Sequence, residues 1–291
     1  MKKVISFCLW EQPNGVQDGR DSLPSYILGA ILNADIAKEE WQDWTCRYYI
    51  DKSTIDESII NELKSRDNVE VFLFEKNEGY FSTLWRFYAF TDDNLDYVIS
   101  RDVDSRLHVR DKASVDEWIS SGKDYHIIRD HCQHTRVMAA GMWGAKSGLI
   151  TEQSLDSYRD FCILKNTKDK FGNDQDFLEH VIYPHAKTRA IIHDDWTTNQ
   201  PIFVGEERIS PPIPRIRGEG WWNQELPEWH SADKKQTCVS EECNLDCPDS
   251  WCTKTPCPCC KKYHDNDYIG KKMSIDKKEY DKYSHLIGVK V

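Results

Sequence analysis

The segment YVISRDVDSR, residues 97–106, decides the fold that we predict for this chain. Its first four residues are mostly apolar or β-branched, which predicts a short β-strand. Five of the next six residues are charged or polar, so the composition changes abruptly where the strand should end. Open α/β sheets bind ligands beyond the carboxyl ends of their strands, and the polar run lies at such an end.

The chain before this segment alternates predicted strands with predicted helices. Right-handed crossovers of this length produce a mainly parallel sheet with helices on both faces, so the first hundred residues are predicted to be Rossmann-like α/β. The first turn, EQPNG at residues 11–15, lacks the G-x-G-x-x-G spacing of a dinucleotide site, which argues against an NAD enzyme. The strands are predicted at residues 4–9, 46–50 and 69–74, and the helices at residues 26–41, 55–63 and 81–90.

The chain after the segment continues the α/β pattern. The helix near Asp174 is expected to use Asn173 or Asp174 as its cap, and the last strand is predicted to end at His193. Neither a helix nor a strand is predicted at residues 137–145, which contain Gly and Met. The other predicted elements are a helix at residues 114–119, a strand at 125–128, a helix at 154–164 and a strand at 190–192.

A change of composition near residue 235 predicts two parts. Four prolines in residues 201–214 favour an extended tether or lid over a helix. Seven of the eleven cysteines lie at residues 238–260, so we expect a large α/β domain at residues 1–235 and a small Cys-rich extension at residues 236–291.

The overall charge and the apolar runs limit the partners of the chain. The formal net charge of -11 disfavours nucleic acid or an anionic membrane as the main partner, so an anionic ligand needs a local basic pocket. No apolar run reaches the length of a membrane span, and residues 1–10 do not resemble a signal peptide. A cytoplasmic protein is expected.

Asp102 and Asp104 are the strongest candidates for binding chemistry. In an extended segment, side chains two residues apart point to the same side, so both carboxylates face one hard divalent cation while Val103 points into the packing. A diphosphate completes the coordination of that cation, and Arg101 and Arg106 add suitable positive charge. A lone D-x-D is also common in exposed turns, and it is the preceding strand that favours the functional interpretation.

At these residues the sequence resembles the GT-A glycosyltransferases, and more closely a group of viral and bacterial surface-glycan transferases. The resemblance covers about residues 4–220. It implies a GT-A fold and a manganese- or magnesium-dependent transfer from a nucleotide-diphosphate sugar, bound by the first half of the domain, to a glycan or glycoprotein acceptor; for a viral protein the compartment is the host cytoplasm. The motifs that carry it are Tyr26-x-x-Gly29-x-x-x-Asn33, Trp85-Arg86-Phe87, Arg101-Asp102-Val103-Asp104-Ser105-Arg106, Ile128-Arg129-Asp130-His131, Gly141-Met142-Trp143-Gly144, Asp174-Gln175-Asp176-Phe177-Leu178 and His193-Asp194.

The resemblance also implies roles for single residues. Ser6, at the first strand, is expected to line the nucleoside pocket, and Arg86 is expected to contact phosphate. His193 matches a histidine that supplies a third metal ligand, which would favour manganese, although a histidine at a strand end is more often simply hydrogen-bonded. Asp176 is the candidate general base, with Asp130 as the second candidate.

Two other functions remain open at this point. The tail cysteines, with His264 nearby, lack paired C-x-x-C spacing, so structural zinc, disulfides and free thiols are all compatible with them. A metal-binding interaction module centred on this tail is therefore one alternative. A nucleotidyltransferase is another, although it would usually show a Gly-rich phosphate loop near the first strand. We expect Cys8, Cys46, Cys132 and Cys162 to be buried free thiols.

Overall fold

The structure is a computed structural model, and it describes residues 1–11, 23–130, 136–166, 171–194 and 205–213. Within these residues the chain forms an eight-stranded sheet in the order β3-β2-β1-β4-β6-β5-β7-β8. Only β6 runs antiparallel to its neighbours β4 and β5; the remaining pairs are parallel. The strands are β1 (Lys3–Leu9), β2 (Trp44–Asp51), β3 (Val69–Phe74), β4 (Tyr97–Ser100), β5 (Tyr125–Arg129), β6 (Trp143–Lys146), β7 (Ala190–Asp194) and β8 (Arg208–Ile209).

Helices cover both faces of the sheet. A 3-10 helix occupies Gly79–Thr91, and a π-helical turn at Leu178–Ile182 joins α5 to α6. The α-helices are α1 (Leu23–Glu40), α2 (Glu57–Lys64), α3 (Val109–Ser121), α4 (Glu152–Leu164), α5 (Asn173–Phe177) and α6 (Tyr183–Ala186). The predicted class, α/β with a mainly parallel Rossmann-like sheet, is confirmed.

Alternate residues of the central strands supply two hydrophobic cores. Ile5, Phe7 and Ile99 pack under α1, α2 and α3. Val4 and Val98 pack on the opposite face, with the 3-10 helix, α4 and the helices from α5 to α6. Because β1 and β4 are buried on both faces, their sequences read as nearly continuous apolar runs. We refer to these sides as the α1–α3 face and the 3-10 face.

Local predictions agree with the structure to within a few residues at most elements, with three exceptions. β6 forms inside residues 137–145, where no strand was predicted. The last described strand is β8 and not β7. The N-cap of α5 is Gly172, with φ of 88°, and not Asn173 or Asp174, although Asp174 Oδ1 does accept from the Gln175 amide at 2.9 Å.

Other expectations are settled only in part. Cys8, Cys46 and Cys162 are buried free thiols as predicted, while Cys132 lies outside the described residues. The boundary near residue 235 and the Cys-rich extension also lie outside them. Among the helices that the structure describes, none has the length and apolar character of a membrane span.

Candidate active site

The acidic segment after β4 is a turn. The amide of Ser105 donates to the carbonyl oxygen of Asp102 at 3.2 Å, so the extended geometry assumed for residues 102–104 is wrong. Val103 nevertheless points into the core of the α1–α3 face, as predicted. The Asp102 side chain is 31% exposed and Asp104 is buried, so Asp102 is the more accessible carboxylate.

Two glycines and one asparagine hold this acidic turn. A Cβ on Gly29 would lie 1.9 Å from the carbonyl oxygen of Val103, and a Cβ on Gly141 would lie 2.1 Å from Asp102 Oδ2. Both positions therefore require the close backbone approach that only glycine allows. The buried Asn33 side chain donates to the carbonyl oxygens of Val103 and Ser105, at 3.2 and 2.7 Å, and accepts from the Leu107 amide at 3.0 Å.

Arg86 connects the acidic turn to α5. One guanidinium nitrogen, Nη1, donates to Asp102 Oδ1, and the other, Nη2, donates to Asp174 Oδ2 at 2.7 Å. The side chain of Arg86 is 5% exposed, and the Ser6 hydroxyl donates to its carbonyl oxygen at 2.6 Å. Ser6 is itself fully buried, so in this structure it supports Arg86 and does not line an open pocket.

The charges of this group are partly balanced. Burial raises the pKa of Asp174, and the negative charge of Asp102 adds to that shift, whereas Arg86 opposes it. The nearby carboxylates raise the pKa of Arg86 above its usual value against the cost of burial. Arg86 therefore stays positively charged between two carboxylates. Both terminal nitrogens are engaged and Nε, which has no partner among the described residues, is buried, so no guanidinium nitrogen is open to a phosphate in this arrangement, which differs from the expected phosphate contact.

The loop before β6 is attached to the same place. The Ser100 hydroxyl donates to the carbonyl oxygen of Ala140 at 2.7 Å. The side-chain amide of Gln175, oriented with its nitrogen toward Met138, donates to the Met138 carbonyl at 2.9 Å and accepts from the Ala140 amide at 3.0 Å. Gln175 thus joins the first turn of α5 to the loop that lies against Asp102.

Asp176 lies in the first turn of α5, two residues after Asp174. Its side chain is half-buried, and its amide donates to the carbonyl oxygen of Gly172 at 2.9 Å. The structure therefore places the candidate base on the same short helix as the partner of Arg86, so that the two acidic motifs of the sequence meet.

Asp130 and Arg101 belong to a different environment. Asp130 is buried and forms an ion pair with Arg110 of α3 at 3.2 Å. Arg101 is also buried; its Nη1 donates to the carbonyl oxygens of Ser100 and Trp143, at 2.8 and 3.3 Å. Neither side chain is presented to a ligand in this structure, which does not favour Asp130 as base or Arg101 as a phosphate contact.

His193 does not join the acidic turn. Its Nδ1 lies 2.9 Å from His126 Nε2, and its Nε2 lies 3.0 Å from Glu117 Oε2 of α3. Ile192 belongs to the core of the 3-10 face, so the next side chain of the strand points to the opposite face from Arg86.

Strand register gives the separation of β7 from the acidic turn. Ser100 pairs with Trp143, which pairs with Ile127, which pairs with Ile192. Three strand spacings of about 4.8 Å separate Ser100 from Ile192 by roughly 14 Å. Both ring nitrogens of His193 have partners and its side chain lies on the other face, so the structure does not bring His193 to the acidic turn, and its role as a third metal ligand stays a prediction.

The remaining acidic residues fit a divalent cation that is shared with a ligand. In the described part of the chain, no group of three or more His, Cys, Asp or Glu side chains converges on one point. Asp102 and Asp174 do converge, because both contact one guanidinium. Two carboxylates plus phosphate oxygens and water is a usual set for magnesium, so these residues fit such an ion.

No protein-family model and no curated protein matches the sequence. Among solved structures, the chain is similar to S. aureus TarS 1-349, with 14% identity and a TM-score of 0.40 over 67% of this chain and 58% of that chain. The same protein in complex with UDP gives 13% identity and a TM-score of 0.39, over 69% and 61%. The 4-diphosphocytidyl-2C-methyl-D-erythritolsynthase from Anaerococcus prevotii gives 12% identity and a TM-score of 0.38, over 70% and 95%.

The chain spans 58% of the TarS 1-349 structure. Similarity at these values says nothing about the function of this chain.

Several residues of the site were not assigned a role from the sequence. Asp174, Gln175 and Asn33 each stand in a motif that carried the resemblance. The motifs marked these residues as candidates, but the sequence does not show which residues they contact. Glu117 and His126 gave no signal, because one is a polar residue on a helix and the other lies inside a strand.

Proposed function

We propose that this chain is a metal-dependent glycosyltransferase of GT-A type, which moves a sugar from a nucleotide-diphosphate sugar to a glycan or glycoprotein acceptor. The observation that carries the proposal is the meeting of Asp102, Arg86 and Asp174 beyond the carboxyl end of β4. In an open α/β sheet this is where ligands bind. The motifs at Asp102, Gly141 and Asp174 that resemble the GT-A transferases are the ones that meet there.

The donor is proposed to bind at Asp102. Asp102 is the more accessible carboxylate of the acidic turn, and its position is held by Gly141 on one side and Arg86 on the other. A divalent cation held by Asp102, with Asp104 or Asp174 as a further carboxylate, would neutralise the diphosphate that leaves from the sugar. Since His193 has other partners, the ligand set is all oxygen, and it suits magnesium as well as manganese.

The acceptor is proposed to bind on the α5 side. Asp176 is the candidate base because it is half-buried on the same short helix as Asp174, which contacts Arg86. A carboxylate there would take the proton of the attacking acceptor hydroxyl in an inverting displacement. Asp130 is a weaker candidate because Arg110 already neutralises it.

The test is ligand-dependent stabilisation. A nucleotide sugar that binds only the folded protein stabilises it by about 2.7 kcal/mol at a hundred times its Kd, which raises the melting temperature. A panel of nucleotide sugars is screened by thermal shift with and without Mn²⁺. We expect at least one donor to raise the melting temperature only with the metal present, and Asp102→Asn to abolish that rise.

The control and the product separate the alternatives. Asp67→Asn, at an exposed ion pair with Lys38, should leave the shift unchanged. Release of a nucleoside diphosphate from the stabilising donor identifies sugar transfer, whereas release of pyrophosphate from a nucleoside triphosphate identifies a nucleotidyltransferase. No donor-dependent shift in the wild-type protein, or an equal shift in Asp102→Asn, rejects the assignment of the site.

A further inference from the structure

We propose that Arg86 is an internal competitor of the divalent cation, and that the guanidinium and the cation are alternative partners of the carboxylates of Asp102 and Asp174. This inference rests on the proposed function, because it concerns the metal of the same site. It assigns Asp174 to the cation site, which the sequence did not, and it gives Arg86 a role other than phosphate contact.

Arg86 bridges the two carboxylates. Each of its terminal nitrogens binds a different carboxylate, Asp102 through Nη1 and Asp174 through Nη2. These acceptors lie 16 and 88 residues away along the chain, so the arrangement is made by the fold and not by local sequence. The buried guanidinium of Arg86 therefore occupies the space between two carboxylates that are suitable ligands for a divalent ion.

The positive charge of Arg86 opposes the binding of a metal ion. With two carboxylates and one guanidinium, the group has a formal charge of -1 (-1 -1 +1). Arg86 is almost fully buried, so solvent screens these interactions weakly. The guanidinium therefore repels an approaching cation while it holds one oxygen of each ligand. We expect Mn²⁺ alone to bind the wild-type protein weakly and to bind more tightly when UDP supplies two phosphates.

Neighbouring residues hold Arg86 and Asp102 in fixed positions, so the cation and the guanidinium compete for the same oxygen atoms. The Ser6 hydroxyl holds the carbonyl oxygen of Arg86, and Nη1 also donates to the carbonyl oxygen of Arg101 at 3.3 Å. A Cβ on Gly141 would enter the space beside the second oxygen of Asp102. The Gly141 backbone lies against Asp102 Oδ2 while Arg86 binds Oδ1, so a cation coordinated by both oxygens of Asp102 must take Oδ1 from the guanidinium.

The experiment measures binding of Mn²⁺ alone, without donor or acceptor, to the full chain at pH 7.5. Free Mn²⁺ is counted by electron paramagnetic resonance, and the melting temperature is followed in parallel. Arg86→Gln changes the formal charge of the group from -1 to -2, and we expect it to bind Mn²⁺ at least tenfold more tightly than the wild-type protein. Asp102→Asn in the same background should abolish the gain.

Arg86→Lys is the conservative variant. It keeps the positive charge but offers a point charge in place of the two-armed guanidinium. We expect its affinity for Mn²⁺ to stay within about threefold of the wild-type value, because the repulsion of the cation is retained. A gain as large as that of Arg86→Gln would show that geometry and not charge is decisive, and it would overturn the proposal.

A charge-balanced pair keeps the proposal testable if Arg86→Gln fails to fold. Asp174→Asn has a formal charge of 0 in this group, and the double variant Arg86→Gln/Asp174→Asn has -1. The double variant must bind Mn²⁺ more tightly than Asp174→Asn. Equal or weaker binding in folded variants without Arg86 refutes the competition.

The result is distinguishable from failure of the proposed function. This inference alone is rejected if the wild-type protein binds a nucleotide sugar but substitution of Arg86 leaves the affinity for Mn²⁺ unchanged. Absence of both nucleotide-sugar and Mn²⁺ binding, in the wild-type protein and in the Arg86 variants, rejects the proposed function together with it.

Discussion

At the scale of single residues, the site depends on close backbone contact as much as on charge. Gly29 and Gly141 lie against opposite parts of the acidic turn, and Asn33 satisfies its carbonyl groups from α1. These three residues bind no ligand in our proposal. They determine where Asp102 points, and they stand in two motifs of the resemblance, residues 26–33 and 141–144, that contain none of the residues proposed to bind the metal.

Gly141→Ala should disturb the site directly. The added methyl group would overlap Asp102 Oδ2, so the carboxylate or the loop must move, at a cost of about 1–3 kcal/mol in the free energy of unfolding. We expect donor-dependent stabilisation to be lost at ligand concentrations that saturate the wild-type protein. The measurements are chemical denaturation and thermal shift with donor and Mn²⁺.

Gly122→Ala is the matched control for this variant. Gly122 has φ of 69° and no atom within 4 Å of its added Cβ, so the substitution carries a backbone cost without a clash. It should destabilise the protein by about 1 kcal/mol and leave donor binding intact. Unchanged donor binding in Gly141→Ala would show that the position of Asp102 is not critical.

His126 predicts a pH dependence of stability. Burial lowers the pKa of His126 well below its usual value of 6.5, and the neighbouring His193 and Arg101 add to the effect. Below pH 6.5 the unfolded chain takes up a proton at this residue and the folded chain does not, so stability falls as the pH falls. Its ring also stacks on Trp118, with centroids 5.4 Å apart.

Denaturation at pH 6.5 and 5.5 measures this effect. We expect the wild-type protein to lose about 1 kcal/mol more over that interval than His126→Gln, which keeps an amide near the position of Nε2 but takes up no proton, because the unfolded histidine is already half protonated at pH 6.5. Equal losses in the two proteins would mean that His126 is protonated in the folded state or that another group controls the titration.

At the scale of elements, one buried arginine joins the ends of three strands. Arg129 of β5 donates through Nε to Asp194 of β7 at 2.7 Å and through Nη1 to the carbonyl oxygen of Val137 at 2.9 Å. The same guanidinium holds Glu206, just before β8, and Glu206 also accepts from the Tyr183 hydroxyl at 2.6 Å. Because β8 pairs with β7 through only two residues, this network adds to the attachment of the segment to the sheet.

Arg129→Met should destabilise the protein by about 3–5 kcal/mol, because it leaves the fully buried carboxylates of Asp194 and Glu206 without their main cation. Chemical denaturation measures the change. Lys38→Met breaks an ion pair whose side chains are 59% and 76% exposed, and it should cost less than about 1 kcal/mol. Similar costs in the two variants would show that the network contributes little to holding β8.

At the scale of the whole molecule, the two faces of the sheet have different polar groups. The 3-10 face carries Arg86 with Asp102 and Asp174, which form the candidate site. The α1–α3 face carries the buried pair of Arg110 with Asp130 and the hydrogen-bonded chain from Glu117 to His126. With a net charge of -11, a phosphate ligand depends on a local cation for its binding, which in our proposal is the divalent ion at Asp102.

We predict that a chain ending at residue 235 still binds the donor. The residues that we assign to the donor and the metal all precede residue 175, and domains bind ligands independently when their core is complete. The measurement is donor-dependent thermal shift of the shortened protein beside the full chain. A folded shortened protein with no response to donor would show that residues 236–291 complete the site.

The fold class followed from the sequence alone. Alternating apolar strands and amphipathic helices up to Ser100 predicted the parallel sheet, because burial on both faces and crossover handedness depend only on local periodicity and spacing. The same reasoning placed the acidic segment at the end of β4, whereas the inward position of Val103 was predicted from an extended geometry that the structure does not have. Each of these features is determined by residues that are near each other in the chain.

Only the tertiary structure decided which side chains meet. Arg86 binds a carboxylate 88 residues away, and His193 has partners 67 and 76 residues away, so local spacing carries no information about these pairs. The antiparallel β6 separates β4 from β5, and this order of strands places His193 far from Asp102. The motifs predicted an acidic site after β4. The order of the strands and the face to which each side chain points decided which residues belong to that site.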